Sequence, residues 1–410
     1  GMTSSDGVYI DGRLTVRGDM TGPASARMVL RDPTVDIAVM ETARGGLLRS
    51  GLGYKRCDVA ACLNVAADHL GLGGIDTLEQ LSKVKRIPIE VARDTVVLNA
   101  DDEHCLRMAD YTQAENVCYV TMNPAHALVR EHIRAGGRAV VLEQGINGDM
   151  ITLYDNGTHF QLVWTYLIPA TMGGKATHNV QNAMFAAALA FSMGKSLDDI
   201  RHGLCTFDTS YFQAPGRMNV FDEHPFRVIL DYGHNAAAVA SICQLVDRLE
   251  VVGKRISVLS APGDRREEDI RAIADEAVGH FDHYICKADD NRRGRGHDEV
   301  PEMLAEQLRE RSVAKHQSQV IAEEAEAVQA ALGMAEEGDL LVIFGDDIKR
   351  CWEQVSGYEV GEAGRRKRQT KTLIESFVEE DPEAFQLDSD IELVRDERGV
   401  RIAQLDEESD

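Results

Sequence analysis

The stretch VDIAVMETARGG (residues 35–46) and the stretch CDVAACLNVAADHLGLGGIDTLEQLSKVK (residues 57–85) decide how this chain folds. Two apolar runs within them, Val35–Met40 and Val59–Val65, have the continuous hydrophobicity of strands buried on both faces of a parallel sheet. Each run stops at polar residues beside glycine-rich turns. Glu41 stands ahead of Gly45 and Gly46, and Asn64 ahead of Asp68 and His69. Ligands of an open α/β sheet sit outside the carboxyl ends of its strands. The spacing therefore predicts Glu41 and His69 in one crevice, around a cation and phosphate. A lone Glu at a strand end is more often simply solvated, so the expectation rests on the two ends together.

Outward from this stretch, Val8–Ile10 and Leu14–Val16 flank Asp11-Gly12, a strong hairpin signal. Pro23–Leu30 reads as a helix. Downstream, Leu78–Ala92 reads as a helix carrying Lys83 and Lys85. Strands are expected at 95–98 and 117–121, with Asp101 and Asp102 as helix caps. Residues 128–168 alternate in short runs between Gly-Gly and Asn-Gly turns, an antiparallel excursion on the α/β sheet. GGKATHNVQNAMFAAALAFSMG (173–194) predicts a buried Ala-rich helix starting near Thr177 or His178. Asn179 and Asn182 share its first turn. One of them capping and the other solvated is an open alternative to a nucleotide role at this natural anion site.

FDTSYFQAPGR (207–217) reads as a linker, after which strands and helices alternate regularly, the pattern of a doubly wound parallel sheet. Polar clusters again follow its strand ends: Asp231/His234/Asn235, Asp264/Arg265/Arg266, Asp289/Arg292/Arg295 and Asp346/Lys349. The expected division is a first α/β unit at 1–206, a hinge at 207–218, a second α/β unit at 219–350, and a tail at 351–410. The tail holds a basic knot at Arg365–Arg368, is otherwise acidic, and is expected to be partly mobile, with a terminal hairpin around Asp396–Gly399.

The formal net charge of -24 opposes nonspecific binding to nucleic acid or to an anionic membrane. No run reaches the roughly 18 apolar residues of a membrane span. The eight cysteines are scattered without a CxxC pair, which suits free thiols in a reducing cytoplasm and supports neither a zinc site nor a disulfide framework.

ETARGG (41–46), NVAADHLG (64–71), HNVQNA (178–183), APGR (214–217) and DYGHN (231–235), in this order, resemble the Mur ligase superfamily. ETARGGLLRSGLGY, DHLGLGGIDTLEQL, SAPGDRREEDI and RDERGVRI are similar, more narrowly, to the Mur-ligase-like portion of the cyanophycin synthetase family. The resemblance spans essentially the whole chain. It implies ATP-dependent amide bond formation through an acyl phosphate, a reaction that needs charge neutralisation and positioning. By resemblance, Glu41 and His69 hold Mg²⁺, and Asn179 and Asn182 lie by the nucleotide. Arg217 in the hinge, with Asp231 and His234 or Asn235, closes over ATP. Family members often carry a carbamoylated lysine downstream of the metal histidine. Lys85 is preferred for that role over Lys83, and either can equally be a solvated helix lysine. The implied substrates are arginine and the side-chain carboxylates of poly-aspartate, as in cyanophycin. Asp289 and Asp290 are candidates for the guanidinium, since that pairing is planar and bidentate, with a solvated loop as the alternative. Arg265 is a further substrate-binding candidate.

The sequence departs from the family in one respect. No GxxGK[ST] occurs in these 410 residues, so a strand, a phosphate loop and a helix are expected ahead of Gly1. Without that loop, nucleotide binding by this chain alone is expected to be weak or absent, and the chain inactive on its own. Two alternatives follow: a non-catalytic binding or oligomerisation module, as a homo-oligomer or with a partner synthetase chain, and an ATP-dependent ligase with a different acceptor.

Overall fold

In the computed structural model, residues 1–359 are described, together with the backbone of 393–396 and 399–402. The chain opens with β1 (Met2–Thr3), β2 (Gly7–Ile10) and β3 (Arg13–Arg17). The β2–β3 turn places Asp11 and Gly12 at φ 51° and 72°, the doubly left-handed turn that matches strand twist. Helix α1 (Pro23–Arg31) starts on Pro23, where no N–H is needed. Strand β4 (Val39–Met40) pairs in parallel with β1, which gives a four-stranded sheet of order β3-β2-β1-β4. The expected strand at 35–40 is therefore only two residues long. Val35 N–H is spent on Asp32 C=O in a turn at 3.2 Å, and Val39 is 60% exposed. Helix α2 (Arg44–Ser50) follows.

The second apolar run forms β5 (Cys57–Cys62), at the edge of a different, six-stranded sheet. This corrects the expectation of one sheet for both runs: β4 takes its partner from the N-terminal strand, while β5 pairs with the strand that follows it. The expected helix at 78–92 is split into α3 (Leu78–Lys85) and α4 (Ile87–Glu90). Pro88 has no N–H to donate back into α3. Thr77 and Gln80 form a capping box at the α3 start. Then come β6 (Ala92–Asn99), α5 (Glu103–Leu106), β7 (Asn116–Thr121) and α6 (Ala127–Arg134). Strands β8 (Arg138–Gly145), β9 (Gly148–Asp155) and β10 (Thr158–Trp164) complete the sheet, order β10-β9-β8-β7-β6-β5. Strands β5 to β8 are parallel, and the antiparallel meander continues the same sheet. Helix α7 (Thr177–Ser192) packs on it through Ala183, Met184, Phe185, Ala187 and Ala188, whose small members allow close approach. Helix α8 (Leu197–Thr206) is capped by Ser196.

The second domain runs β11 (Asn219–Phe221), β12 (Arg227–Asp231), α9 (Ala236–Arg248), β13 (Arg255–Leu259), α10 (Glu267–Ala277) and β14 (His283–Cys286). It continues through α11 (Glu299–Glu310), β15 (Ser318–Val320), α12 (Glu324–Met334), β16 (Leu340–Phe344) and α13 (Ile348–Gly357). The sheet order is β11-β12-β16-β13-β14-β15, parallel from β12 to β15. Alternate strand residues face opposite cores. Ile229, Val342 and Phe344 pack with α9, α10 and α11, whereas Leu230, Leu341 and Ile343 pack with α12 and α13. All five residues of β16 are buried, as a central strand covered on both faces requires. Asp231 ends β12, and Lys287 and Asp346 follow β14 and β16, so the polar clusters gather at the carboxyl ends of the strands.

Helix α13 buries Cys351 and Val355, so the chain up to Tyr358 packs with the second domain. The basic knot at 365–368 lies outside the described residues. Strands β17 (Leu393–Asp396) and β18 (Gly399–Ile402) form an antiparallel hairpin with Leu393 opposite Ile402. No helix among the described residues is long and apolar enough to cross a membrane.

Candidate functional site

After β5 the chain turns sharply. His69 adopts a left-handed conformation (φ 58°), and Gly71, Gly73 and Gly74 follow at positive φ before α3 begins. This turn presents Asp68 and His69 to the second domain. Asn235 Nδ2 donates to Asp68 Oδ2 at 3.3 Å, and Arg265 Nη2 lies 3.0 Å from Asp68 Oδ1. The Nε2 atoms of His234 and His69 stand 3.6 and 3.7 Å from Asp68 Oδ2. Burial pushes the Asp68 carboxyl up, but His234, His69 and Arg265 outweigh it and hold the group well below the usual carboxylate range. Burial lowers the His69 imidazole against the pull of Asp68. Asp68, His69 and His234 offer three donor atoms within 4.8 Å of one another. One carboxylate and two imidazoles suit a borderline first-row cation such as Fe²⁺ or Zn²⁺ better than Mg²⁺, which favours oxygen donors. Glu41 is not part of this group. Its exposed carboxylate accepts the Ser5 N–H at 3.0 Å.

A cavity of about 630 Å³ opens between α7, α8 and the hinge. Asn179, Asn182 and Arg217 line it, over an apolar floor that includes Ile168, Ala183 and Ile200. Asn179 Nδ2 donates to Ala170 C=O (2.8 Å), and its Oδ1 accepts from Asn182 Nδ2 (3.1 Å). The hinge is held by Asp231, which accepts the N–H groups of Met218 (2.8 Å) and Gly233 (2.7 Å). Burial raises the Asp231 carboxyl, with those two donors and Arg217 opposing. The Arg217 guanidinium makes long hydrogen bonds of 3.5 Å to Gly216 C=O and Ser5 Oγ and lies 5.6 Å from the centre of the Tyr232 ring.

At the strand ends of the second domain, Asp290 is already engaged by an internal guanidinium, that of Arg350, at 2.6 and 2.9 Å. Asp289 is 7% exposed and has Lys287 Nζ as its ionic neighbour at 3.7 Å. Lys287 is fully buried and 2.6 Å from Glu324. Asn235 also caps α9, accepting from Ala238 N–H.

The two candidate lysines part company. Lys83 is exposed and pairs with Glu79 along α3 at 3.4 Å. Lys85 reaches back to the Asn64 carbonyl at the end of β5, at 3.1 Å. Replacing Lys83 with alanine is expected to shift stability by no more than about 0.5 kcal/mol. Lys85→Ala, which loses the bond to the Asn64 carbonyl, should cost more, about 0.5–1.5 kcal/mol. Equal urea midpoints for the two variants would show that this bond does not stabilise the fold.

The site thus joins His69, His234, Asn235 and Arg265 around Asp68, and joins Asn179, Asn182 and Arg217 around the cavity. Asp68 is the member that sequence reasoning left out of the site. Its only signal was adjacency to His69, since its partners lie more than 160 residues away.

Two α/β domains that meet through Asp68, His69, His234, Asn235 and Arg265, with a cavity between the first domain and the hinge, define a class, and sequence comparison agrees. Residues 9–190 match the Mur ligase middle domain, and residues 216–346 match the Mur ligase glutamate ligase domain. The chain belongs to the Mur ligase family. Within it, the chain is 41% identical over 354 residues to the cyanophycin synthetase of Crocosphaera subtropica, covering 86% of this chain and 40% of that protein. It therefore spans about two fifths of the length of these curated relatives. Among solved structures it is similar to MurF from Acinetobacter baumannii, with TM-score 0.58, 18% identity, and coverage of 83% and 70% of the two chains. It is also similar to the bifunctional folylpolyglutamate synthase/dihydrofolate synthase of Yersinia pestis complexed with AMPPNP and Mn. There the TM-score is 0.55 and the identity 19%, with coverage of 81% and 69%. At these identities the likeness to the solved structures is one of fold.

Proposed function

We propose that this chain supplies the nucleotide-handling and amine-handling domains of an ATP-dependent amide ligase, and that its reaction joins arginine to the side-chain carboxylates of poly-aspartate. The observation that carries the first part is the cavity of about 630 Å³ bounded by Asn179, Asn182 and Arg217. Its size is in the range that encloses a nucleoside. Its apolar floor suits a base, and Arg217 is a cation with weak internal contacts at its mouth. The Asn182 carbonyl is left to accept from an exocyclic amine, because its amide is committed to Asn179. Asp231 holds the hinge that carries Arg217. A divalent cation held through His69 would neutralise phosphate charge, and Lys85 lies on the same strand-end face.

The second part is supported by the kinship to proteins named cyanophycin synthetases and by the acidic strand ends of the second domain. Asp289 is the carboxylate proposed to meet the arginine guanidinium, since Asp290 is held by Arg350.

Calorimetric titration with a non-hydrolysable ATP analogue and Mn²⁺ tests the first part. Saturable binding, weakened by Asn182→Ala, is the expected result. An absence of binding would leave a binding module without nucleotide chemistry. Incorporation of labelled arginine into a poly-aspartate primer tests the second part, and incorporation of a different amino acid would overturn it.

A further inference from the structure

Cys62 ends β5 and Cys105 sits on α5, and their sulfurs are 3.4 Å apart. Both side chains are buried, Cys62 at 6% exposure and Cys105 at 0%. All eight cysteines are free, and among the described residues no other two thiols touch. The two members of the pair are not equivalent. The Cys105 S–H donates to Cys62 Sγ. That bond lowers the Cys62 thiol against the effect of burial, and Lys85 lowers it further. The same bond, together with burial, pushes the Cys105 thiol up. The thiol that ionises more readily is the nucleophile, and its neighbour is placed to resolve what forms on it.

The backbones that carry the pair are already held together. Asp102 accepts the Cys105 N–H through Oδ1 (2.9 Å) and the Val65 N–H through Oδ2 (2.8 Å), so one carboxylate ties the start of α5 to the end of β5. Asn99 Nδ2 donates to Leu63 C=O at 2.7 Å, and Lys85 Nζ to Asn64 C=O at 3.1 Å. The segment 62–65 leads directly into the turn that presents Asp68 and His69. A disulfide bond is about 2.05 Å long, so the two sulfurs need to close by roughly 1.4 Å. Rotation about the Cα–Cβ bonds supplies a movement of that size without moving either element.

We propose that Cys62 and Cys105 are a peroxide-oxidised modification site whose reversible disulfide latches α5 to the end of β5. The Cys62 thiolate attacks a peroxide oxygen, the O–O bond breaks, and Cys62 becomes a sulfenic acid as hydroxide leaves. The Cys105 sulfur then attacks the Cys62 sulfur. The S–S bond forms, the S–O bond breaks, and the Cys105 proton leaves with the hydroxyl as water. Each sulfur gives up one electron, and the peroxide is reduced to two waters. A small dithiol reverses the change by exchange. The latch is independent of the ligase reading, because thiols are counted directly.

The test is exposure of the full chain to hydrogen peroxide, followed by thiol counting, peptide mapping without reductant, and thermal unfolding. Wild type is expected to lose two of its eight thiols and to yield one linked peptide joining Cys62 to Cys105. Dithiothreitol should restore both. The oxidised chain should unfold at a midpoint at least about 3 °C higher, as a loop-closing crosslink gives. Cys105→Ser should stop at a sulfenic acid on Cys62, captured by dimedone, and Cys62→Ser should leave Cys105 unmodified. Unfolding of each variant in its reduced form separates misfolding from lost chemistry, with Cys105→Ala as the second replacement. The half-buried Cys205 calibrates the dose. Peroxide that oxidises Cys205 in wild type and leaves the pair reduced would overturn the proposal. So would linkage of either residue to a different cysteine, or sulfenic acid gathering on Cys105 in Cys62→Ser. A linked chain with an unchanged midpoint would overturn the latch.

Discussion

Glu324→Ala is expected to lower the unfolding free energy of the second domain by about 3–5 kcal/mol, the usual cost of stranding a buried charge. The Glu324 carboxylate is fully buried at the start of α12. It accepts the N–H groups of Asp346 (2.7 Å) and Asp347 (3.0 Å) and Arg350 Nη2 (2.6 Å), and it faces Lys287 Nζ at 2.6 Å. Truncation leaves the buried Lys287 ammonium and two N–H groups without their acceptor. Lys287→Met should cost less, because Glu324 keeps Arg350 and both N–H donors. The double variant should be less destabilised than the sum of the two.

The same residue sets an acid limb. Burial alone would raise the Glu324 carboxyl, but Lys287 and the Asp346 and Asp347 N–H groups bring it down to about 2, from an ordinary 4.5. Because the folded value is the depressed one, its stabilisation is complete above about pH 4.5 and is lost as pH falls toward 2. The amount is about 3 kcal/mol. Urea denaturation from pH 7 down to 3 should show this loss in wild type and a flatter profile in Glu324→Gln. Identical acid limbs in the two proteins would show that Glu324 is not held ionised as described.

The second large effect is on binding. Arg217→Ala should weaken the ATP analogue by about 10–100-fold, the equivalent of losing one charge-assisted hydrogen bond of roughly 1.5–3 kcal/mol. Its unfolding midpoint should move little, because Arg217 has two hydrogen bonds at 3.5 Å and a 5.6 Å approach to the Tyr232 ring among the described residues. Arg217→Lys keeps the charge but not the planar fork, so its affinity should fall between the two. An unchanged dissociation constant in Arg217→Ala would mean that the residue serves the hinge and not the ligand.

Much of the fold is legible in short windows of sequence. Asp11-Gly12 encodes the β2–β3 turn, and the apolar runs from Phe226 to Phe344 encode the parallel sheet of the second domain. The candidate site is less legible. Both glycine-rich strand ends were visible, but Glu41 and His69 end strands of separate sheets, since β4 is recruited by β1. Lys83 and Lys85 look alike in sequence and differ in what their tips reach, Glu79 for one and the Asn64 carbonyl for the other. Asp290 reads as an open carboxylate until Arg350, sixty residues on, is placed against it.

The sequence by itself determined the order of strands and helices, the turns between them, and the gathering of polar residues at strand ends. These depend on hydrophobic period and turn chemistry, which act over a few residues. The tertiary structure alone decided which of those strand ends meet. Asp68 became the hub because the left-handed turn at His69 aims it at His234, Asn235 and Arg265, all of them on the other domain. Charge pairing of that kind depends on the relative placement of two separately folded sheets, and no local pattern in the chain encodes it.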